Sequence, residues 1–178
     1  TGSVPCLFQV RNAAIVQPLN DWNWKNSRTL IGTNTTGIKS LFKNNADEKY
    51  FIWPGSGFQH KDTMYMYLSS LMRTGDGAWD FKGTGRDLWG KVTVPDMKVV
   101  KYTELPSFND INFGCGYVED KAKGIVYAFG YKGDYIESNV FVARFSSSNP
   151  NSGWTFWNGR AWDGNVMHVK PIGRGASN

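Results

Sequence analysis

Cysteine is scarce in this chain: Cys6 and Cys115 are the only two among 178 residues. That pair is too few for a disulfide scaffold, and it lies outside any zinc-ligand spacing. Two buried thiols are the default expectation, since a bridge depends on geometry that spacing does not decide. Histidine is equally sparse, with His60 and His168 alone and neither in a metal-binding motif. No apolar run reaches the 18 residues of a spanning helix, so no membrane span is expected. Long stretches of Ala, Leu, Glu and Lys are missing, and no segment keeps a 3.6-residue period over a helical length. The net charge is +5, but the basic residues are dispersed. In the densest group, Lys98 to Lys101, Val99 and Val100 intervene, the pattern of a strand with one wet face. Nucleic acid is therefore not an expected partner. The sequon Asn34-Thr35-Thr36 occurs once and is weak on its own.

What the chain does have is glycine and aromatic rings: 20 Gly, 8 Trp, 8 Tyr and 11 Phe. With helix formers sparse, that composition predicts an all-β fold. Strands are expected at 7–17, 50–58, 63–72, 91–94, 97–102, 111–118, 125–131, 139–145 and 154–157. Turn residues separate them, and Pro54-Gly55 is expected to break the second strand. Residues 18–37 carry loop chemistry. Trp22 and Trp24 stand two apart there, which fits one packed strand face better than a sugar platform.

Two blocks resemble each other. Gly57-Phe58 leading to Met64-Tyr65-Met66-Tyr67 matches Gly116-Tyr117 leading to Val126-Tyr127-Ala128-Phe129. More loosely, Val99-Val100-Lys101-Tyr102 matches Val142-Ala143-Arg144-Phe145. Four-strand repeats of about 60 residues are the unit of a β-propeller, whose blades bury both faces against neighbours. The fold expected is a partial β-propeller of two to three four-stranded blades. Residues 1–49 would form the end of one blade plus a connector, 50–106 and 107–165 a blade each, and 166–178 the start of the next blade or a tail. Closed propellers need four or more blades. The chain also opens on Thr without a signal peptide and trails off through Gly173 to Asn178, so a fragment is expected. Its open sheet edges would favour edge-to-edge self-association.

The runs NFGCGYVED, GIVYAFGYKG, NVFVARF and GWTFWNGRAW, with Trp53-Pro54-Gly55-x-Gly57 before them, resemble a bacterial family of uncharacterised five-bladed propellers. The resemblance covers residues 50–165 and is clearest over 112–162. That family is similar to propeller glycoside hydrolases of the arabinanase and xylosidase type. The resemblance implies a secreted, periplasmic or cell-surface protein acting on a polysaccharide when complete. It also implies catalytic carboxylates drawn from different blades, some of them outside this chain.

Propeller sites gather at one mouth of the central channel. By that logic Trp53, Ser56, Asp110 and Asn112 are candidates at inner-strand starts, and Asp76, Asp80, Arg86, Asp87, Asp134 and Glu137 in loops. A glycosidase needs two carboxylates about 5–5.5 Å apart for retention, or about 6.5–9.5 Å apart for inversion. Asp110 and Glu137 are the expected catalytic pair. Trp53 is the expected sugar-stacking ring, with Asn112, Asp134 and Arg144 as further substrate contacts. His60 reads as a solvated hairpin tip, and Trp154 and Phe156 as packing residues on one strand face with Trp157 on the other. No resident cofactor is called for. Calcium suits a channel rich in carboxylates and carbonyls, but no loop has calcium-motif spacing. A glycoside hydrolase, a non-catalytic glycan-binding propeller and a protein-interaction propeller all fit the sequence.

Overall fold

The computed structural model describes residues 12–34, 37–43, 49–77, 79–133 and 137–175. Cys6, Asp134 and the Thr35-Thr36 part of the sequon lie outside them. So does the 7–11 part of the first expected strand.

The chain is all-β, and it parts into two compact units. One comprises Thr1–Trp53 and Leu71–Lys82, the other Pro54–Ser70 and Gly83–Asn178. In the first unit, β1 (Ala14–Val16) pairs with β2 (Arg28–Leu30), and β3 (Gly32–Asn34) pairs with β4 (Gly37–Lys39), both antiparallel. A 3₁₀ turn at Trp24–Asn26 precedes β2, and the Asn23 side chain caps it by accepting from Lys25 N–H. Trp22 and Trp24 are both exposed, which corrects the expectation of a packed strand face. The asparagine- and aspartate-rich sequence around them bonds to its own backbone and forms turns instead of a strand.

The buried apolar side chains described in this unit are Phe42, Ile52 and Leu71, and the buried Asn12 ties the first two together. Its amide donates to the carbonyls of Phe42 at 2.9 Å and Ile52 at 3.1 Å, and its oxygen accepts from Phe42 N–H at 2.7 Å. Each polar atom of the side chain is thus satisfied, as burial requires.

Two larger antiparallel sheets are four-stranded meanders of propeller-blade type. The first runs β5 (Tyr50–His60), β6 (Thr63–Arg73), β8 (Leu88–Thr93), β9 (Val99–Glu104), with a short β7 (Phe81–Gly83) also paired to β6. The second runs β10 (Asn112–Asp120), β11 (Ile125–Gly133), β12 (Ser138–Ser146), β13 (Thr155–Trp157), and extends to β14 (Trp162–Asp163). Beside β12, the fourth position is shared. β13 pairs at Ala143 and Arg144, while β15 (Gly173–Gly175) pairs at Ser138 to Val140.

Two strand boundaries depart from the sequence reading. β5 continues through Pro54-Gly55, because it is an edge strand of its sheet, the position in a sheet where proline is tolerated. β8 begins at Leu88, and Trp89 and Gly90 belong to it. The looser half of the repeat is also corrected. Val99–Tyr102 lies on the fourth strand of its sheet but Val142–Phe145 on the third, so the two segments are not equivalent. The tighter half holds: Phe58 on β5 and Tyr117 on β10 occupy matching strands, their rings 5.9 Å apart.

One aromatic core fills the second unit. Phe58, Tyr67, Trp89, Phe113, Phe145, Trp154 and Phe156 lead it, joined by Val126, Ala128 and Phe141. The indoles of Trp89 and Trp154 both donate to the Pro150 carbonyl, at 3.0 and 2.9 Å, so neither buried N–H is orphaned. Trp154 and Phe156 are buried together, as expected for a packing face, and Trp157 stacks edge-on against Trp162. Glycine admits the inner strands to one another: a Cβ on Gly55 would lie 2.7 Å from the Gly114 carbonyl oxygen.

Candidate functional site

In the second unit the polar candidates collect where β10 starts, β11 ends and β12 starts. Asn109 and Asp110 both take left-handed backbone, φ 54° and 62°, which turns the chain into β10. Such φ values favour Asn and Asp over most other side chains. The Asp110 carboxylate is exposed and lies 3.7 Å from Lys132 Nζ, which also donates to the Asn109 carbonyl at 2.7 Å. Glu137, just before β12, is likewise exposed and pairs with Arg174 of β15 at 3.2 Å.

The other two candidates of this unit are held by their own fold. Asn112 donates to Ser69 Oγ at 2.9 Å and accepts from Gly114 N–H at 2.8 Å. It therefore stitches the start of β10 to β6. The Arg144 guanidinium lies over the Trp162 ring, 4.4 Å from its centroid, and donates to Thr155 Oγ1 at 3.3 Å. Ser56, from the wider set, donates to the Cys115 carbonyl at 2.9 Å. Cys115 itself is exposed with a free thiol, a correction to the buried-thiol default. It sits between Gly114 and Gly116 in β10, whose sparse side chains leave it uncovered.

Beside Gly114 lies a polar pair of the buried Tyr67 and the half-buried Asp87. The Tyr67 phenol, fully buried on β6, donates to Asp87 Oδ2, while Ser70 N–H donates to Asp87 Oδ1 at 3.1 Å. Burial pushes the Asp87 carboxyl above its ordinary value, and the two hydrogen bonds pull it partly back. Burial first, and the Asp87 charge second, push the Tyr67 phenol far up. A Cβ on Gly114 would stand 2.7 Å from the Tyr67 ring, so glycine there seats the phenol over its partner. Arg86 beside Asp87 forms a two-pronged pair with Glu104, at 3.0 and 2.7 Å, and this holds the Glu104 carboxyl below its usual range.

Trp53 belongs to the first unit. Alternation along β5 buries Ile52 and turns Phe51 and Trp53 to the opposite face. There Phe81 of β7 makes edge contacts with Phe51 at 5.6 Å and Trp53 at 5.4 Å, and a tilted contact with Trp79 at 6.2 Å. Trp53 remains 48% exposed and Trp79 76% exposed, so two indoles look outward from one ring cluster. The sequence reading found Trp53 but not Trp79. Trp79 lies in a glycine-rich loop, and nothing local announces that its neighbour Phe81 meets Phe51 and Trp53.

His60 is partly buried, with Nδ1 3.8 Å from Glu119 Oε1, and not the solvated tip expected. The neighbouring β10 brings Glu119 against it. His168 Nδ1 lies 2.8 Å from Asp163 Oδ2. Among the described residues, no group of three or more His, Cys, Asp or Glu side chains is placed to hold a metal ion. Nor is any described helix long and apolar enough to cross a membrane.

Fold and site together define an all-β protein of antiparallel, blade-like sheets with an outward-facing aromatic cluster. The chain belongs to the family described as "Domain of unknown function (DUF5005)", which matches residues 2–177. No curated protein matches it. Among solved structures it is similar to the crystal structure of "a putative hydrolase from Bacteroides ovatus ATCC 8483". The TM-score is 0.54 with 19% identity, over 72% of this chain and 36% of that one. At that identity the likeness is one of fold, and the chain spans about a third of the length of that structure.

Proposed function

We propose that this chain is the carbohydrate-binding part of a five-bladed, carbohydrate-active propeller that meets its polysaccharide outside the cytoplasm. The observation that carries this reading is the ring cluster of Phe51, Trp53, Trp79 and Phe81, with its two exposed indoles. An indole left in water on a sheet face forfeits burial worth about 1.5–3 kcal/mol for a large side chain. A flat apolar sugar face recovers part of that on stacking. The test is a titration of the chain with polysaccharides, comparing the wild type with Trp53→Ala and Trp79→Ala. About tenfold weaker binding in each variant is expected, equivalent to roughly 1.4 kcal/mol. Variants that bind as well as the wild type would reject the platform.

Glycoside hydrolysis by the complete protein is the second reading, supported by what the Bacteroides ovatus structure is described as being. In it Asp110 and Glu137 act at the reacting centre, with carboxylates from other blades available as partners. Asp87 is the described carboxyl raised by burial, the property a general acid requires, but Tyr67 and Ser70 occupy both its oxygens. Reducing-sugar release that falls at least a hundredfold in Asp110→Asn or Glu137→Gln would establish this reading, and unchanged release would reject it.

A further inference from the structure

We infer that the polysaccharide held by the Trp53–Trp79 platform is acidic, its sugar faces on the indoles and its carboxylates on Arg73. This inference rests on the carbohydrate reading above and adds the charge of the ligand.

Arg73 N–H donates to the Lys49 carbonyl at 2.9 Å, which places the last residue of β6 directly across from the residue that precedes β5. Side chains opposite one another share a sheet face, and residues two apart on a strand share it too. Lys49 and Arg73 therefore lie on the face that carries Phe51 and Trp53. The Arg73 guanidinium reaches the Gly77 carbonyl at 3.5 Å, in the loop that delivers Trp79. Among the described residues Arg73 makes no ion pair.

Among the described residues, the carboxylates of the adjoining loop, Asp76 and Asp80, form no ion pair with Arg73. Asp80 accepts from Gly77 N–H at 2.8 Å. It is packed so closely on the loop that a Cβ on Gly75 would lie 2.5 Å from its Oδ2. It fastens the loop from within. Asp76 is exposed, and Lys82, next to Phe81, is exposed as well. A guanidinium beside exposed rings matches a sugar carboxylate, which it can take through two parallel hydrogen bonds. Neutral sugars offer no such acceptor.

Polygalacturonate and its fully methyl-esterified form share one backbone and differ in charge, so titrating the chain with both isolates the claim. The wild type is expected to prefer polygalacturonate at least tenfold at low salt, with the preference shrinking as salt screens the charges. Arg73→Gln is expected to abolish the preference while still binding the ester, and Arg73→Lys to restore it in part. Equal wild-type affinity for the two polymers would overturn the acidic assignment and leave the platform standing. Loss of neither polymer in Trp53→Ala and Trp79→Ala, or no binding by the wild type, would overturn the carbohydrate reading itself. Circular dichroism and urea midpoints matching the wild type confirm that each variant is folded.

Discussion

At the residue scale the side chains that define this molecule are polar groups in apolar company. Asp87 is held by the Tyr67 phenol and the Ser70 N–H, and burial raises its carboxyl above the ordinary range. The sign follows from linkage. Between the unfolded value near 3.9 and the higher folded value, the native state keeps a proton that the unfolded chain has released. Stability contributed through Asp87 is therefore greatest below that window and declines as pH rises through it. Tyr67→Phe deletes a donor to the ionised form, so it should cost about 1.5–3 kcal/mol at pH 7 and distinctly less at pH 4. Urea unfolding at the two pH values measures this, and equal losses would contradict it. Trp89→Ala is a packing change of another kind. It empties the middle of the second unit's core and leaves Pro150 with one indole donor, at an expected cost of about 3–5 kcal/mol. Asn12, by contrast, gave no sequence signal. Its partners Phe42 and Ile52 are distant in the chain, and no local pattern marks a side chain satisfied at such range.

At the element scale, most of the strands were legible because turn residues punctuate them and apolar side chains alternate. β6, β10, β11 and β12 fall within two residues of their expected ends. The misreadings have local causes. Pro54-Gly55 reads as a break unless the strand is known to be an edge, and Gly90 hides the first half of β8. β7, β14 and β15 are two or three residues long, too short for any periodicity to show. The glycines that mattered were those at which backbones approach. A Cβ on Gly55 would strike a carbonyl oxygen that only a shift of β10 could move. Gly55→Ala should accordingly lose about 1–3 kcal/mol, read as a lowered urea midpoint. An unchanged midpoint would mean that the two strands approach less closely than described.

At the scale of the whole molecule, the all-β class and the blade-like meanders followed from composition and from one good repeat. The candidate site was only partly legible. Trp53, Asp110, Asn112 and Glu137 were named from strand starts and loops, and Arg144 from within a strand. Their partners Lys132, Ser69, Arg174 and Trp162 come from other strands, and strand pairing decides them. The platform was half visible, since Phe81, two residues after Trp79, meets Phe51 and Trp53 only through strand pairing. The central claim is that the exposed indoles of Trp53 and Trp79 take a polysaccharide. Indole N–H resonances of the ¹⁵N-labelled chain test it most directly, each tryptophan assigned by substitution and followed as polygalacturonate fragments are added. The Trp53 and Trp79 resonances should shift while those of the buried Trp89 and Trp154 stay in place. Shifts confined to other tryptophans, or none at any, would contradict it.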